Sequence, residues 1–301
     1  MDLEAHRAEL AAYCYRMLGS VHDAEDLVQE TLLRAWKARD RYDPSRASVR
    51  TWLYRIATNV CLTALESRKR RPLPSGIGAA SQDTEAPLQP ALDVPWLEPF
   101  PDGRYNVEAR ADLRLAWVAA VQGLPARQRA VLVLRDVLDF SAAEVAEQLD
   151  SSVASVNSAL LRARATVRGV EKPEAVREAS DPAQRAVVER YLRAFEAADV
   201  PGLVRLLADD VVMEMPPVPL WYQGRDDYGL FMERVFRVRG GVWRARLTTA
   251  NGQPAMAAYL PDPASADGYR PHSLQVLSVA EGLVTANVVF AEPGLFEVFG
   301  L

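Results

Sequence analysis

The chain has 301 residues, of which 49% are hydrophobic and 25% charged, and its net charge is −5. This length suits two or three small domains. No apolar run approaches the ~20 residues that a membrane span needs, and the N-terminus lacks the basic and apolar segments of a signal peptide. We therefore expect a soluble cytoplasmic protein with no membrane partner.

Charge is unevenly distributed along the chain. Residues 50–72 contain six basic residues and one acidic residue, whereas residues 73–112 contain two basic and seven acidic residues. A local basic block can bind phosphate groups even when the whole chain is acidic. The negative net charge therefore does not exclude nucleic acid as a partner.

Two amphipathic segments open the chain. Residues 3–19 are a predicted helix, and residues 23–36 are a second helix whose apolar positions, ending at Trp36, recur at steps of three and four. The acidic first turn of the second helix suits the helix dipole. Cys14 and Cys61 lie within apolar helical patterns, so we expect core positions rather than metal ligands or redox groups.

A third helical segment contains the basic block. It begins after Ser48, a suitable N-cap, and is predicted to run to about Arg71, just before Pro72. Arg55 and Asn59 fall on the face opposite its apolar stripe. This segment is therefore predicted to present polar and basic groups to solvent or to a ligand.

Residues 23–36 and 51–59 together resemble two motifs of the extracytoplasmic-function (ECF) group of sigma-70-type RNA polymerase sigma factors. The first resembles the polymerase-binding helix and the second the promoter-melting segment. The resemblance implies two partners, promoter DNA and core RNA polymerase with its β and β′ subunits. It implies no cofactor, metal ligand or catalytic residue. The polymerase-binding residues are expected to be Asp23, Glu25, Asp26, Gln29, Glu30, Leu33 and Arg34.

Promoter opening requires side chains that hold an unpaired base and read its edge. Tyr42, in the loop before the third helix, and Asn59 are of suitable types, and the resemblance places a flipped −10 base at this loop. Trp52 also fits a core position, and a basic helix end also suits the helix dipole. Basic groups there would bind phosphates without reading sequence. The expected −10 residues are Tyr42, Arg50, Trp52, Arg55, Asn59, Arg68, Lys69, Arg70 and Arg71.

Residues 73–107 are predicted to be a linker, because Pro, Gly, Ser and acidic residues replace the helical period. Within it, Trp96 and Phe100 lie among prolines. Exposed aromatic side chains are unfavourable in a free loop, so we expect both to dock on a surface. In the family that the chain resembles, this linker threads the polymerase cleft near the template strand.

Residues 108–170 have the spacing of a helix-turn-helix unit. Ser141 and Glu144 match a capping box, and the segment resembles sigma region 4, which reads the −35 element. Many family members have Arg at the positions of Asn157 and Ala159, so their promoter preference does not transfer to this chain. The outward residues expected at −35 DNA are Ser152, Ser155, Asn157, Ser158, Leu161, Arg162 and Arg164.

ECF sigma factors usually end near Arg168, whereas this chain continues for about 130 residues. Residues 171–181 are a predicted linker. Residues 182–301 show helices, a strand, a helix and then consecutive strands, an order that resembles the SnoaL-like (NTF2-like) cone with a pocket. Candidate pocket residues, which equally fit a rim or a sheet ladder, are Glu214, Trp221, Tyr222 and His272, with Asp210 and Tyr259 nearby.

These observations predict a multidomain protein. Two all-α domains, residues 1–72 and 108–170, precede an α+β NTF2-like domain at residues 182–301. The predicted function is that of a transcription initiation sigma factor without catalysis of its own. Intramolecular contact between the C-terminal domain and the sigma domains would modulate its activity in cis.

Two alternatives remain open. One is an enzyme whose helical domains serve as a DNA tether, with Asp210 or His272 in its pocket. The other is a helix-turn-helix repressor that acts without polymerase. The repressor leaves residues 23–36 and the Trp52 segment unexplained.

Overall fold

The computed structural model describes residues 2–67, 70–105, 111–168 and 181–301. The chain divides into two compact units that are each discontinuous in sequence. A helical unit comprises Met1–Arg71 and Tyr105–Val176, and a mixed unit comprises Pro72–Arg104 and Arg177–Leu301. In the described ranges, no helix combines the length and apolar character needed to cross a bilayer.

The helical unit is built from short helices around a buried first helix. Every residue of that helix from Leu10 to Leu18 is buried, because it packs against four others, α2, α3, α5 and α6. The helices are α1 (Arg7–Leu18), α2 (Val21–Ala38), α3 (Val49–Glu66), α5 (Leu115–Gln122), α6 (Ala126–Leu132), α7 (Ala142–Gln148) and α8 (Val153–Val167). One further turn, α4 (Asp102–Tyr105), ends the linker segment.

Serine side chains start four of these helices. In each case the hydroxyl accepts a hydrogen bond from the backbone N–H three residues later, which typically stabilises a helix by ~1 kcal/mol. At Ser141 the backbone N–H also donates a hydrogen bond to the Glu144 carboxylate, so the predicted capping box is confirmed. The four N-cap residues are Ser20, Ser48, Ser141 and Ser152.

A buried arginine joins the start of α6 to the end of α1. Arg129 is 4% exposed and donates hydrogen bonds to the backbone carbonyls of Met17, Gln122 and Leu124 and to the Gln122 side chain. Burial, together with the nearby Arg70 charge, lowers the pKa of Arg129 to about 10. Several acceptors offset the cost of burying this cation, so Arg129 fixes α6 against α1.

Cys14 and Cys61 are both fully buried and form no disulfide, with their sulfurs 3.7 Å apart. Their predicted core positions are confirmed. In the described part of the chain, no group of three or more His, Cys, Asp or Glu side chains is placed to hold a metal ion.

Two details of the helical unit differ from the sequence prediction. Helix α3 ends at Glu66 rather than near Arg71, and Arg71 instead forms an ion pair with Asp23 of α2. Trp36, assigned to the apolar stripe, is 56% exposed. It lies in the last turn of α2, where its ring contacts the Arg39 guanidinium at 4.5 Å.

The mixed unit contains a six-stranded sheet with the strand order β2-β1-β6-β5-β4-β3. Strands β1 and β6 are parallel and the other neighbours are antiparallel. Helices α9 and α11 pack against the sheet, which confirms the predicted α+β class. Its elements are α9 (Pro182–Glu196), α10 (Val200–Val204), β1 (Leu207–Glu214), β2 (Trp221–Gln223), α11 (Arg225–Arg239), β3 (Arg244–Ala250), β4 (Gln253–Pro261), β5 (Tyr269–Ala280), β6 (Leu283–Phe290) and α12 (Gly294–Phe299).

Two of these elements have no counterpart in the sequence prediction. Strand β2 has three residues and α12 has six, and both are too short to display a period. Helix α12 has a clear packing role, since Phe296 contacts Tyr259 of β4 with ring centroids 5.3 Å apart.

The linker segment packs within the mixed unit. Trp96 is 8% exposed and Phe100 is fully buried. The Phe100 N–H donates to Asn251 Oδ1 at 2.7 Å, and the Asn251 N–H donates back to the Phe100 carbonyl at 2.9 Å. The Gly252 N–H donates to Asp102 Oδ2 at 2.9 Å. The linker is therefore bonded to the turn between β3 and β4.

The buried carboxyl of Asp102 makes the stability of the folded chain sensitive to pH. Burial raises its pKa to about 6, although the Gly252 N–H partly opposes the shift. A carboxyl whose pKa is higher in the folded state than in the unfolded state binds more protons when folded. The contribution of Asp102 to stability is therefore fully present below about pH 4 and is lost as pH rises through about 6.

Asp102→Asn should remove this fall in stability, which is on the order of 2 kcal/mol, because the amide keeps an acceptor for Gly252 and cannot ionise. Urea unfolding followed by tryptophan fluorescence at pH 4.5 and pH 7 measures the difference. Asp93→Asn, at an exposed linker position, is the control. An unchanged pH dependence in Asp102→Asn would contradict the assignment.

Candidate polymerase and promoter interfaces

The face of α2 predicted to bind polymerase is partly open. Asp26, Gln29, Leu33 and Arg34 are exposed, and Leu33 presents 45% of its surface. Glu30 is half-buried and pairs with Arg34 at 2.6 Å. The open face therefore combines carboxylate, amide and apolar groups, a mixture suited to a protein partner.

The other two predicted residues of α2 make contacts within the helical unit. Asp23 pairs with Arg71 at 2.6 Å, and Glu25 accepts a hydrogen bond from the Tyr105 hydroxyl at 2.5 Å. Both are half-buried. These carboxylates bind Arg71, which follows α3, and Tyr105, the last residue of α4.

Three of the predicted −10 residues surround one cleft. Its volume is about 470 Å³, and its walls come from residues 41–48, the first turns of α3 and the carboxylate face of α7. Tyr42 and Trp52 stack there with ring centroids 5.0 Å apart, and Tyr42 donates its hydroxyl to the Ala47 carbonyl at 2.9 Å. Arg55 also lines the cleft. An aromatic pair beside a cation has the composition that stacks an unpaired base.

The cleft is bordered by acidic groups from α7. Glu144 and Glu147 both line it, and the Glu147 carboxylate lies 3.5 Å from Arg55. Both carboxylates are exposed, so the pair with Arg55 is weak in water.

The remaining predicted −10 residues are dispersed. Asn59 is exposed on α3. Arg50 pairs with Glu9 at 2.9 Å, and its guanidinium contacts the Tyr54 and Phe140 rings.

The basic residues beyond α3 are also separated. Arg70 is exposed, whereas Arg71 is half-buried and paired with Asp23. Arg68 and Lys69 lie outside the described residues.

Helix α8 presents all seven predicted −35 residues to solvent. Its buried positions are Val156, Leu160 and Ala163. Arg164 forms two hydrogen bonds with Asp136, at 2.7 and 2.8 Å, which fix its side chain near the end of the helix. The exposed set is Ser152, Ser155, Asn157, Ser158, Leu161, Arg162 and Arg164.

Three candidate pocket residues of the C-terminal domain contact the linker. Ser75 donates its backbone N–H to Glu214 Oε1 at 2.8 Å, and Trp221 Nε1 donates to the Gly78 carbonyl at 2.8 Å. The Tyr222 hydroxyl donates to the Asp83 carbonyl at 3.2 Å. Burial raises the pKa of Glu214, against the opposing Ser75 N–H.

The other candidate pocket residues, His272, Asp210 and Tyr259, do not share one site. His272 lines a cavity of about 330 Å³. Asp210 is exposed on β1, and Tyr259 is buried against Phe296. His272 is thus the one member of the predicted set that the described residues place in the cavity.

Several residues that bind the linker were not identified from the sequence. Asn251 and Gly252 form a two-residue loop between β3 and β4, with φ values of 58° and 65°. An Asn-Gly pair between two strands is the usual signal for such a turn, and it predicts the hairpin but not the linker bound to it. Arg234 donates to the Thr84 and Ala86 carbonyls at 2.8 and 2.7 Å, and no local pattern indicates this contact.

Three family matches cover most of the chain. Residues 3–71 match Sigma-70 region 2, and residues 114–167 match Sigma-70, region 4. Residues 188–287 match the SnoaL-like domain.

Proteins of similar sequence align with nearly the whole chain. ECF RNA polymerase sigma factor SigG of Mycobacterium tuberculosis (strain ATCC 25618 / H37Rv) is 46% identical over 99% of this chain and 82% of its own length. SigJ of the same strain is 31% identical over 98% of this chain and 92% of its own length. The crystal structure of M. tuberculosis SigJ aligns with 98% of this chain and 96% of that chain, with a TM-score of 0.65 and 27% identity.

The order of the three matched regions is that of the predicted domains, and the SigG relationship extends across nearly the whole chain. The chain therefore belongs to the ECF RNA polymerase sigma factors and has a C-terminal SnoaL-like domain.

Proposed function

We propose that this sigma factor binds core RNA polymerase through the open face of α2 and recognises promoters through two further surfaces. The −10 element is opened and held at the cleft that contains Tyr42, Trp52 and Arg55. The −35 element is read by the exposed N-terminal half of α8. The support is positional, because each surface is exposed and has the polar, aromatic or basic groups that its partner requires.

We further propose that the SnoaL-like domain restrains initiation in cis by holding the linker. The observation that carries this proposal is the reciprocal pair of hydrogen bonds between Phe100 and Asn251. If the linker of this chain threads the polymerase cleft, as the family resemblance implies, it cannot remain bonded to the β3–β4 turn at the same time. Docking then lowers the fraction of chains that are competent for initiation.

The bonds that hold the linker are spread along its length. Ser75, Gly78, Thr84 and Phe100 each exchange a backbone hydrogen bond with the SnoaL-like domain. A single hydrogen bond contributes ~1 kcal/mol net. Several such bonds hold the linker firmly, while the loss of one shifts the docking equilibrium measurably.

For the polymerase face, Asp26→Ala combined with Gln29→Ala should raise the Kd for core polymerase about tenfold, as expected for two central interface positions. Fluorescence anisotropy of labelled protein titrated with core enzyme measures the change. The control is Glu233→Ala, an exposed carboxylate of α11. An unchanged Kd in the double variant would remove α2 from the interface.

For the −35 surface, Asn157→Ala should relax base preference at one position by about 1–3 kcal/mol, because an amide reads a base edge through paired hydrogen bonds. Arg162→Ala should instead weaken binding to all sequences and lower the salt-dependence slope by about 1. Promoter selection with holoenzyme at two salt concentrations separates these effects. Identical selected sequences for Asn157→Ala and wild type would exclude base reading by Asn157.

For the linker, Asn251→Gly should raise run-off transcription about threefold to tenfold. Glycine tolerates the positive φ of the turn, so the change removes the acceptor for the buried Phe100 N–H without straining the turn. Glu281→Gly is a matched control, because Glu281 is exposed and begins the equivalent loop between β5 and β6 with φ 52°. Transcription equal to or below wild type in Asn251→Gly would contradict restraint by docking.

A further inference from the structure

Four large hydrophobic side chains of the helical unit are exposed in the part of the chain that the structure describes. Two of them, Leu33 and Trp36, lie on α2, the helix of the proposed polymerase face. The other two, Val153 and Leu161, lie on α8 and are 44% and 69% exposed. A surface that read DNA through polar groups alone would leave both of these α8 side chains without a partner.

Val153 and Leu161 lie on one stripe of α8 together with the proposed base-reading residue. Asn157 is exposed midway between them, and residues four apart are neighbours on a helix surface. At a rise of about 1.5 Å per residue, each step along the stripe covers about 6 Å, which is nearly the length of two base pairs. The stripe therefore has an apolar group on each side of the amide, at a spacing that suits neighbouring base pairs.

The charge of α8 favours DNA over an acidic or basic protein surface as the partner of this stripe. The 15 residues of the helix include two arginines and no acidic residue. Ser155, Ser158 and Arg162 are also exposed on it, and hydroxyl and guanidinium groups bind phosphates and base edges. An apolar stripe within such a surface is suited to the apolar part of a polyanion.

The major groove of DNA offers one such apolar group, the C5-methyl group of thymine. Val153 lies in the first turn of α8, the part of a recognition helix that contacts base edges. Leu161 is the most exposed large hydrophobic side chain of the described helical unit. Neither side chain can form a hydrogen bond, so each can select a base only by contact with a methyl group.

We propose that Val153 and Leu161 read thymine methyl groups on either side of the base pair read by Asn157. The −35 element of this sigma factor then has a thymine, in either strand, within about two base pairs on each side of that pair. Burial of one methyl group favours thymine over uracil about fourfold. This recognition rests on the proposed role of α8 at the −35 element and adds the chemical group that two of its side chains select.

The first test alters the DNA alone. Uracil in place of thymine removes the methyl group and keeps the hydrogen-bonding edge. Promoter DNA selected with holoenzyme of the full chain is synthesised with uracil at one −35 thymine at a time, and competition binding gives the holoenzyme Kd. Uracil at two positions should each raise the Kd about fourfold, whereas uracil in the spacer between the two elements should not. An unchanged Kd at every −35 position, or a selected element without thymine beside the base pair read by Asn157, would overturn the proposal.

Protein variants then assign each methyl group to its side chain. Leu161→Ala and Val153→Ala should each lose the response to uracil at one position, a different one in each variant, and keep the response at the other. Both side chains are exposed, so neither truncation disturbs the core. Thr166→Ser is the control, because it removes an exposed methyl group of the same helix outside the stripe and should leave both responses as in wild type. Full responses at both positions in the two alanine variants would contradict the proposal.

Other partners of the stripe predict different results. If Val153 and Leu161 contacted core polymerase instead, their alanine variants would raise the Kd for core enzyme without DNA, and no chain would respond to uracil, which would overturn the proposal. Failure of the proposed function is distinguishable. If α8 did not read the −35 element, Asn157→Ala would select the same sequences as wild type. If only the methyl contacts were absent, Asn157→Ala would change the selected sequences while uracil left the Kd unchanged.

Discussion

The reciprocal hydrogen bonds between Phe100 and Asn251 are the interaction on which the regulatory account depends. They use the backbone of the linker and both the backbone and side chain of a turn residue, so they require a defined turn more than a defined linker sequence. The turn exists because Asn251 and Gly252 both accept positive φ. One two-residue loop in the SnoaL-like sheet thus determines where a segment some 150 positions earlier is held.

The helical unit brings the groups that are proposed to read the promoter together with acidic groups. Tyr42, Trp52 and Arg55 share a cleft with Glu144 and Glu147 of region 4. The exposed contact between Arg55 and Glu147 is weak, so the proposed promoter binding would break it at little cost. The buried contacts of Arg129 with α1 and the half-buried pair of Arg50 with Glu9 fix the surrounding helices more firmly.

Much of the helical unit was predictable from the sequence, because hydrophobic period, serine caps and the helix-turn-helix spacing are local signals. The exposed face of α8 followed from the inward positions Val156, Leu160, Ala163 and Val167, of which the first three are buried. The role of Glu214, Trp221 and Tyr222 did not, since each contacts a linker residue about 140 positions away. One unused signal was the apolar stretch of β4, which is buried from Gln253 to Leu260. It indicates a strand covered on both faces, and hence a further layer such as α12.

The most direct test of the account is amide hydrogen exchange at Asn251 and Gly252, in the free chain and in the complex with core polymerase. Their N–H groups donate to Phe100 and Asp102 only while the linker is docked, and they belong to the SnoaL-like domain rather than to the linker. The account predicts protection of both amides in the free chain and loss of that protection, at least tenfold, when polymerase binds. Equal protection in the two states would show that the linker stays docked during holoenzyme formation and would contradict the account.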